Sequence, residues 1–448
     1  MFNQHIAYLR SVYERALSGE ELGLSESGDA QTKTNAAIEA VLIHSGGEDH
    51  YFADDRHIPF QSFGHFQHWL PVNRPDQFVY FCPGQQPIYF QVVPNDYWYE
   101  QSVESESWWL DEFKLVRLGQ VSDLHKHLPN TAMAYLGAQP RLAESLGISS
   151  ELINPGSLCA NLDYHRAFKT DYELEQLREA NRLALRGHAA AKQSFLDGGN
   201  EYDIHLAFLA ATQILEDESP YTNIVALDEK AAILHYQHKR RAPAKDSQVL
   251  LIDAGCRING YGSDITRTST KESAHPVFRS ILDAMVEMEQ SLVAQVRPGM
   301  AYVQLHESAL RGVAEILVQH DICKQSVDEL LSQQLPQLFM PHGVGHLLGI
   351  QVHDVGGHQQ DIAGKILPAP EHSPALRNTR VMEENMVFTV EPGFYFIPIL
   401  LKPERNQSRG QLMNWQLIDE LYPCGGVRVE DNVAVTATGV ENLTRQFE

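Results

Sequence analysis

The sequence is poor in cysteine, in long apolar runs and in basic side chains. Its 448 residues include five cysteines with no CxxC pair, so we expect neither a disulfide framework nor a thiolate metal site. No run of eighteen apolar residues occurs, and we therefore expect no transmembrane helix and no membrane partner. Acidic residues outnumber basic ones by 58 to 35, for a formal net charge of −23, which argues against a nucleic-acid partner.

Signatures of several other classes of protein are also missing. The chain contains no GxSxG elbow, no P-loop and no dinucleotide-binding fingerprint, so no such motif competes with the features described below. The first residues, MFNQHIAYLRSVYERAL, lack the basic, apolar and small-residue order of a signal peptide. A cytoplasmic location is therefore the default expectation.

The chain is too long for one ordinary hydrophobic core, and we expect two domains. The N-terminal domain, over residues 1–160, is predicted to be a smaller α/β unit. Its predicted elements are a helix over 3–17, a polar, mobile loop over 18–35, a strand in AVLIHSG and a hairpin that turns at Pro83-Gly84. The C-terminal domain, over 161–448, is predicted to carry the catalytic residues.

Helices and strands alternate through the C-terminal part of the chain. A helix is predicted to run from a capping box at Thr170 to Leu196. Further helices are predicted over 202–215, 277–295 and 302–320. Strands lie between and after these helices, and this interleaving indicates an α/β or α+β fold class.

Four carboxylates and one histidine in apolar or glycine-rich segments are the most informative feature that is present. These residues are Asp253, Asp264, His346, Glu391 and Glu430, in LLIDAG, YGSDITRT, PHGVGH, FTVEPG and VRVEDN. A buried carboxylate costs several kcal/mol unless its charge is compensated, and a pair of divalent cations would compensate four of them. Oxygen ligands with a single imidazole suit Mn, Co, Zn or Fe at a two-metal hydrolytic centre.

The first two carboxylates fall on a predicted β-hairpin that turns at the Asn-Gly dipeptide 259–260. With that turn, Asp253 lies opposite Thr266 and Asp264 is its diagonal neighbour on the same face, roughly 7–8 Å away at the backbone. A shared metal pair is then within reach of both side chains. One alternative is that one of the two aspartates caps a turn while the other is solvated. Another is a β-bulge at 261–262 that changes the register.

Three histidines, His342, His346 and His353, lie within PHGVGHLLGIQVHDVGG. The glycines and the missing glutamate exclude the HExxH motif of zinc proteases, and glycine here lets the backbone pass close to a cavity. One histidine is expected to be a ligand, with its neighbours facing substrate. His235, in AAILHYQH, fits a buried core position as well as a site position.

The second carboxylate pair lies near the C-terminal end of the sequence. Glu391 ends an apolar, β-rich run just before a Pro-Gly turn. Arg428 and Glu430 are two residues apart and so share one strand face. An arginine beside a metal-binding glutamate can orient it, whereas a surface salt bridge is the alternative.

With these residues placed, the chain resembles the metallopeptidase family that contains methionine aminopeptidase, aminopeptidase P and prolidase. The resemblance covers essentially the whole chain, is looser in the N-terminal domain, and points to the bacterial branch of prolidases and organophosphorus acid anhydrolases. It is carried by YTNIVALDEKAAILHYQH, LLIDAGCRINGYGSDITRT, FMPHGVGHLLGIQVHDVGG, FTVEPGFYF and GGVRVEDN. The resemblance implies a C-terminal domain with the pita-bread fold of creatinases and aminopeptidases.

The resemblance also implies a ligand set for two divalent metal ions per subunit. Asp253 would chelate one ion, while Asp264 and Glu430 would bridge both. His346 and Glu391 would complete the shell of the other ion. Mn²⁺ is the expected metal, with Co²⁺ or Zn²⁺ as alternatives.

The remaining site residues follow from the same resemblance. The implied catalytic residues are Glu391 as a proton shuttle, with His235 and His353 at the scissile carbonyl and the developing tetrahedral centre. The implied substrate-binding residues are Arg377, which would grip the dipeptide's carboxylate, and His342, Tyr221, Arg428 and Asp55. Trp98 matches an aromatic residue that relatives contribute across a dimer interface, so a homodimer is expected.

The expected activity is hydrolysis of Xaa-Pro dipeptides by a hydroxide that bridges the two metal ions. The nearest alternative is an aminopeptidase P that removes Xaa from longer Xaa-Pro peptides. A second alternative is hydrolysis of organophosphate triesters, as a side activity or as the main one. A non-catalytic peptide-binding protein of the same fold is the third.

Overall fold

The computed structural model describes residues 1–19, 38–101 and 107–448, and these residues divide into two compact units. The first unit comprises Met1–Arg166, Thr170–Tyr172 and Asp361–Lys365, and the second comprises Ala167–Lys169, Glu173–Gln360 and Ile366–Glu448. The domain limits of 1–160 and 161–448 stay a prediction. From residue 20 onward, the predicted loop over 18–35 lies outside the described residues.

The first unit is built around a five-stranded mixed sheet with strand order β4-β3-β2-β1-β5. Its strands are β1 (Ala40–His44), β2 (Phe78–Phe81), β3 (Ile88–Val92), β4 (Lys114–Leu118) and β5 (Met133–Leu136). The predicted hairpin is confirmed, because β2 and β3 pair antiparallel with Phe78 opposite Phe90. Gly84 adopts φ +73° in the turn, a conformation that glycine adopts without strain.

Among the described residues of the first unit, four helices accompany this sheet. They are α1 (Phe2–Ser18), α2 (Gly64–Trp69), α3 (Pro140–Ser145) and α4 (Gly156–Arg166). In α1, which packs against α4, Ile6, Leu9 and Tyr13 recur at helical spacing and are buried. Burial of each such side chain stabilises the unit by about 1.5–3 kcal/mol. The helix predicted over 3–17 is therefore confirmed.

The remaining helices belong to the second unit, apart from the start of α5. They are α5 (Asp171–Leu196), α6 (Glu201–Thr212), α7 (Pro276–Gln295), α8 (Tyr302–Gln319), α9 (Val327–Ser332), α10 (Pro336–Phe339), α11 (Pro398–Leu401) and α12 (Trp415–Leu421). The four long predicted helices are confirmed. The predicted end of the second one at Leu215 is wrong, because Gln213 adopts the left-handed conformation and ends α6 at Thr212.

The strands of the second unit form four small sheets, with orders β10-β7-β6, β11-β14-β15, β12-β13 and β8-β9. The strands are β6 (Ile224–Leu227), β7 (Val249–Asp253), β8 (Arg257–Ile258), β9 (Tyr261–Gly262), β10 (Thr266–Thr270), β11 (Val387–Val390), β12 (Gly393–Tyr395), β13 (Gly426–Arg428), β14 (Asp431–Val435) and β15 (Val440–Asn442).

The predicted register of the hairpin around residues 259–260 is confirmed. Asp253 pairs with Thr266, and the same register continues toward the turn, where Arg257 pairs with Gly262. No bulge intervenes along this described segment, so Asp253 and Asp264 share one face of the hairpin.

The main core of the second unit lies between helices α7 and α8 and strands β11 to β14. Its buried members include Phe278, Ile281, Met285, Leu305, Val313, Phe388, Val390, Val427 and Val433. Because several of these side chains flank Glu391 and Glu430 in the sequence, the same core holds the strands that carry those carboxylates. Among the helices of the described residues, none combines the length and apolarity that crossing a membrane requires.

Candidate metal centre

The five predicted ligands all lie at or beside strand ends of the second unit. Asp253 is the last residue of β7, Asp264 lies between β9 and β10, and Glu430 lies between β13 and β14. Glu391 directly follows β11. His346 lies on the segment before β11 and is held against it, since the Thr389 amide donates to the His346 carbonyl at 2.9 Å.

These strand ends surround a cavity of about 270 Å³. The cavity is lined by His235, Asp253, Asp264, His342, His346, His353, Arg377, Glu391, Arg428 and Glu430, together with Leu234, Pro341, Gly343, Gly345 and Ala375. All predicted site residues except Tyr221 and Asp55 therefore line one cavity. Residues that are separated by up to almost two hundred positions in the sequence meet there.

The ligand atoms of the predicted metal-binding residues converge. One donor atom from each of Asp264, His346 and Glu430 lies within 4.8 Å of the others. His346 Nε2 is also 3.6 Å from Glu391 Oε1 and 3.4 Å from Asp264 Oδ2. Oδ1 of Asp253 is buried and receives no hydrogen bond from the described residues. Such an oxygen is available to a cation.

Burial makes ionisation of three of these carboxyl groups costly. It raises the pKa of Asp253 to about 6, although the charge of Arg428 opposes the rise. It raises the pKa of Glu391 to about 7, against the opposing charge of His346. Burial and the neighbouring carboxylates, Asp264 first among them, raise the pKa of Glu430 well above its ordinary value. Without cations, burial thus favours the protonated form of these three carboxyl groups. Divalent cations would instead compensate the charge of the ionised form.

Asp264 and His346 behave differently because they stabilise each other's charge. Burial disfavours both charged forms, but the hydrogen bond and the charge of His346 lower the pKa of Asp264 below its ordinary value. The same contact, with the charge of Glu391, raises the pKa of His346. Four carboxylates and one imidazole that repel or pair in this way match the donors that two divalent cations need.

The backbone before His346 is close to β11, and glycine makes this approach possible. Gly345 adopts φ +149°, and a Cβ atom there would lie 2.2 Å from the Thr389 carbonyl oxygen and 2.4 Å from the Tyr302 hydroxyl. His346 Nδ1 lies 3.0 Å from the Leu347 carbonyl oxygen and can donate to it. Its other nitrogen, Nε2, then faces the carboxylates with a lone pair, the form in which an imidazole binds a metal ion.

Arg428 connects the carboxylates of the cavity to Tyr395. Its Nη2 donates to Asp253 Oδ2 at 2.6 Å and its Nη1 to the Tyr395 hydroxyl at 2.9 Å. Its nearest approach to Glu430 is longer, 4.0 Å, so its main carboxylate partner is Asp253. The surface salt bridge considered as the alternative is wrong, because Arg428 is only 5% exposed.

Sequence reasoning missed two residues of this network, Thr266 and Tyr395. The Thr266 hydroxyl donates to Glu430 Oε2 at 2.6 Å and accepts from Arg428 Nε at 3.0 Å. Its position opposite Asp253 in the predicted hairpin was the signal that could have identified it. Tyr395 lies in an aromatic run, FYF, that differs in no way from ordinary core, so the sequence offered no signal there.

The other predicted histidines also line the cavity. His342 Nε2 lies 3.0 Å from the Tyr395 hydroxyl, and burial together with the charge of Arg428 lowers the pKa of His342 to about 3. The ring of His353 contacts that of His346 edge-on at 4.4 Å. Burial and the charge of His346 lower the pKa of His353 to about 4, while His235 is exposed on the cavity wall.

Three further predicted residues lie outside the lining of the cavity. Tyr221 has a buried hydroxyl, and burial with the nearby Asp253 and Asp264 carboxylates raises its pKa well above the ordinary value. Tyr221 therefore lies beside these two carboxylates. Asp55 and Trp98 belong to the first unit, where both are exposed, and their predicted roles stay predictions.

With this site in place, family comparisons identify the class of protein. Residues 175–437 match the model of metallopeptidase family M24, and residues 1–164 match a model described as the N-terminal domain of Xaa-Pro dipeptidase. The chain belongs to metallopeptidase family M24. The resemblance inferred from the sequence is thereby confirmed, as is the fold class of an N-terminal α/β domain followed by a pita-bread domain.

Two bacterial Xaa-Pro dipeptidases are similar to the chain over almost their whole length. The chain is 39% identical over 454 residues to the Xaa-Pro dipeptidase of Pseudoalteromonas atlantica, covering 100% of this chain and 98% of that protein. It is 42% identical over 414 residues to the Xaa-Pro dipeptidase of Aeromonas hydrophila, covering 91% and 93%.

Solved structures show the same fold at lower identity. Aminopeptidase P from Escherichia coli with the inhibitor Pro-Leu matches with a TM-score of 0.72 at 23% identity, covering 98% of this chain and 95% of that one. Proline aminopeptidase P II from Yersinia pestis matches with a TM-score of 0.71 at 23% identity, covering 98% and 97%.

Proposed function

We propose that this protein is an Xaa-Pro dipeptidase that depends on two divalent metal ions. The observation that carries the proposal is the convergence of four carboxylates and one imidazole in a cavity of about 270 Å³ that Arg377 also lines. The names of the similar full-length proteins support the substrate class. Asp253, Asp264, His346, Glu391 and Glu430 are the residues that would hold the ions.

The donor set favours manganese among the candidate metals. Carboxylate oxygens suit Mn²⁺ and outnumber the single imidazole, the donor type that zinc and copper favour. Co²⁺ and Zn²⁺ remain alternatives that a metal exchange experiment separates. When bound, the cations would polarise the scissile carbonyl and lower the pKa of a water molecule toward neutrality.

Glu391 is suited to moving the proton that this reaction releases. Its side chain is 17% exposed on the cavity wall, and burial raises its pKa to about 7. A carboxylate that reaches the cavity beside the cation positions can accept a proton from the attacking water and then donate it to the leaving prolyl nitrogen. We therefore propose Glu391 as the proton shuttle in addition to its role as a ligand.

His235 and His353 are proposed to stabilise the oxygen that gains charge during attack. Both are exposed and line the cavity, so a substrate carbonyl can reach their ring nitrogens. A donor of this kind is commonly worth about 3–4 kcal/mol in the transition state. His342 would form the wall beside them.

Arg377 is proposed to select dipeptides by binding their C-terminal carboxylate. Arg377 is exposed and lines the cavity, and a planar guanidinium pairs with a carboxylate through two parallel hydrogen bonds. The imide nitrogen of an Xaa-Pro bond has no N–H, so the cavity needs no acceptor at that atom. Tyr221, Arg428 and Asp55 complete the proposed substrate-binding set.

Three finer points belong to the proposal as well. The tetrahedral phosphorus of a triester resembles the transition state of peptide hydrolysis, so a side activity on organophosphate triesters is expected. We also propose that the protein forms a homodimer and is located in the cytoplasm.

The test compares Ala-Pro with Ala-Pro-Ala as substrates of the purified, metal-loaded protein and of its Arg377→Ala variant. The wild type is expected to hydrolyse Ala-Pro at least tenfold more efficiently than the tripeptide. Loss of a charged hydrogen bond costs about 1.5–3 kcal/mol, or roughly ten- to a hundredfold in kcat/KM, so Arg377→Ala should lose that factor on Ala-Pro.

Arg311→Ala is the matched control, because Arg311 is an exposed arginine paired with Asp328 away from the cavity. It should leave kcat/KM unchanged. A wild type that prefers Ala-Pro-Ala would favour aminopeptidase P, the activity named for the similar structures. A protein inactive on both peptides would overturn the proposal.

A further inference from the structure

His235 lies on a loop, residues 228–239, whose two ends meet at the start of helix α6. The Leu227 amide donates to Glu201 Oε1 at 3.3 Å, and the Arg240 amide donates to Glu201 Oε2 at 2.8 Å. The ends also contact each other, since Arg240 Nη2 donates to the Leu227 carbonyl at 3.2 Å. The two ends of the loop are thus held close together, as in an Ω-loop, a type of loop that is frequently functional.

Glu201 is the centre of this closure. Its side chain is fully buried, and it also accepts from Arg240 Nε and from the Tyr236 hydroxyl, each at 2.9 Å. A buried carboxylate is costly unless hydrogen bonds and an opposite charge compensate it. Here backbone amides, a phenol and a guanidinium all donate to one carboxylate, so its removal would release several contacts at once.

The rest of the first turn of α6 holds the same end of the loop. The Tyr202 amide donates to the Arg240 carbonyl at 3.3 Å. Asn200 Nδ2 donates to the Arg241 carbonyl at 3.3 Å, and the Arg241 guanidinium lies 4.5 Å from the centroid of the Tyr202 ring. The end of the loop therefore has a fixed path relative to α6.

His235 itself has no comparable support. Within the part of the chain that the structure describes, no hydrogen bond or ring contact holds its imidazole, and the residue is exposed at the cavity. The next residue, Tyr236, is only 4% exposed and is bound to Glu201. The position of His235 consequently depends on the loop backbone, which is anchored at Tyr236 and at the two ends of the loop.

We infer that Glu201 is a positioning residue, which clamps the 228–239 loop so that His235 reaches the substrate carbonyl. The inference rests on the proposed function, since it concerns the same hydrolysis. Glu201 is not among the predicted site residues, and it does not line the cavity. A shift of about 1 Å in a catalytic group can cost a factor of a hundred in rate, so a buried clamp of this kind affects turnover without touching substrate.

The test is a double-mutant cycle of Glu201→Gln and His235→Ala, with kcat/KM on Ala-Pro and metal content measured for each metal-loaded protein. Glu201→Gln alone should lower kcat/KM about tenfold at unchanged metal content. In the His235→Ala background the same substitution should lower it less than twofold, because the positioned group is already gone. Tyr236→Phe, which removes one hydroxyl, should give a smaller loss with the same dependence on His235, and it replaces Glu201→Gln if that variant does not fold.

Glu404→Gln is the matched control, because Glu404 is a buried carboxylate that binds Arg409 at 2.7 Å in the same unit. It should lower the melting temperature but leave kcat/KM unchanged. Equal losses for Glu201→Gln and Glu404→Gln, or an undiminished loss in the His235→Ala background, would overturn the inference. A wild type that does not hydrolyse Ala-Pro contradicts the proposed function, and the inference with it.

Discussion

Single carboxyl groups determine how the metal centre behaves when no cation is bound. Glu430 is 2% exposed and lies among other carboxylates whose charges, together with burial, raise its pKa well above the ordinary value. Burial likewise raises the pKa of Asp253 to about 6 and that of Glu391 to about 7. Each group binds its proton more tightly in the folded than in the unfolded protein.

The sign of the resulting pH dependence follows from linkage. A carboxyl group with a raised pKa contributes its full stability below its unfolded pKa, about 4, and loses that contribution as pH rises through its folded pKa. The metal-free protein should therefore lose stability between about pH 4 and 7. Cations bound at neutral pH displace the protons and restore stability.

Glu430→Gln should separate these effects. Without metal at pH 8, the variant is expected to melt a few degrees higher than the wild type, because an amide carries no charge among the buried carboxylates at any pH. With Mn²⁺ added, the wild type should gain stability and the variant should gain little. Melting temperatures at pH 5.5 and pH 8, with and without Mn²⁺, measure this. Asp328→Asn, at a carboxylate that is 84% exposed, is the control that should match the wild type.

Backbone elements determine which of these groups meet, and they differ in how far the sequence reveals them. The hairpin that carries Asp253 and Asp264 was predictable, since an Asn-Gly turn sets a local register. The partners of Arg428 were not predictable. Tyr395 lies on β12, the strand that pairs with the strand of Arg428, and Asp253 lies at the end of β7 in another sheet. Helix α6 ends three residues before the predicted position, since the conformation of Gln213 at its C-terminus has no strong sequence signal.

The five proposed ligands could be selected from the sequence because charge in apolar strands requires compensation, a condition visible in each short segment. Glu201 was not identifiable in the same way. Its own segment, GGNEYDIH, is polar, and its burial depends on a loop almost forty residues later. Burial created by distant segments is the part of the site that local patterns do not contain.

Gly345→Ala tests the element that presents His346. A Cβ atom at this position would lie 2.2 Å from the Thr389 carbonyl oxygen, and φ +149° is unfavourable for alanine. The segment must move away from β11, so metal content and turnover should both fall at least tenfold while the fold is retained. Gly299→Ala is the control for left-handed strain alone, because nothing lies near its Cβ position. Retention of full metal content in Gly345→Ala would contradict this interpretation.

At the scale of the whole molecule, the acidic balance of the chain and its metal centre are connected. The formal charge of −23 includes four carboxylates that two dications would neutralise. Within the second unit, one core holds both the strands that supply Glu391 and those that supply Glu430. We therefore expect that metal binding requires the folded protein and that all peptide hydrolysis depends on it.

The dependence of hydrolysis on metal ions is tested by a titration of Mn²⁺ into metal-stripped protein with Ala-Pro hydrolysis as the readout. We expect negligible turnover without metal and a rise that levels off at about two equivalents per chain, the number of ions such a site takes. The Asp264→Asn variant should show no such rise. Full turnover by the stripped wild type, or the same Mn²⁺-dependent turnover in Asp264→Asn, would show that hydrolysis does not depend on metal ions held by these carboxylates.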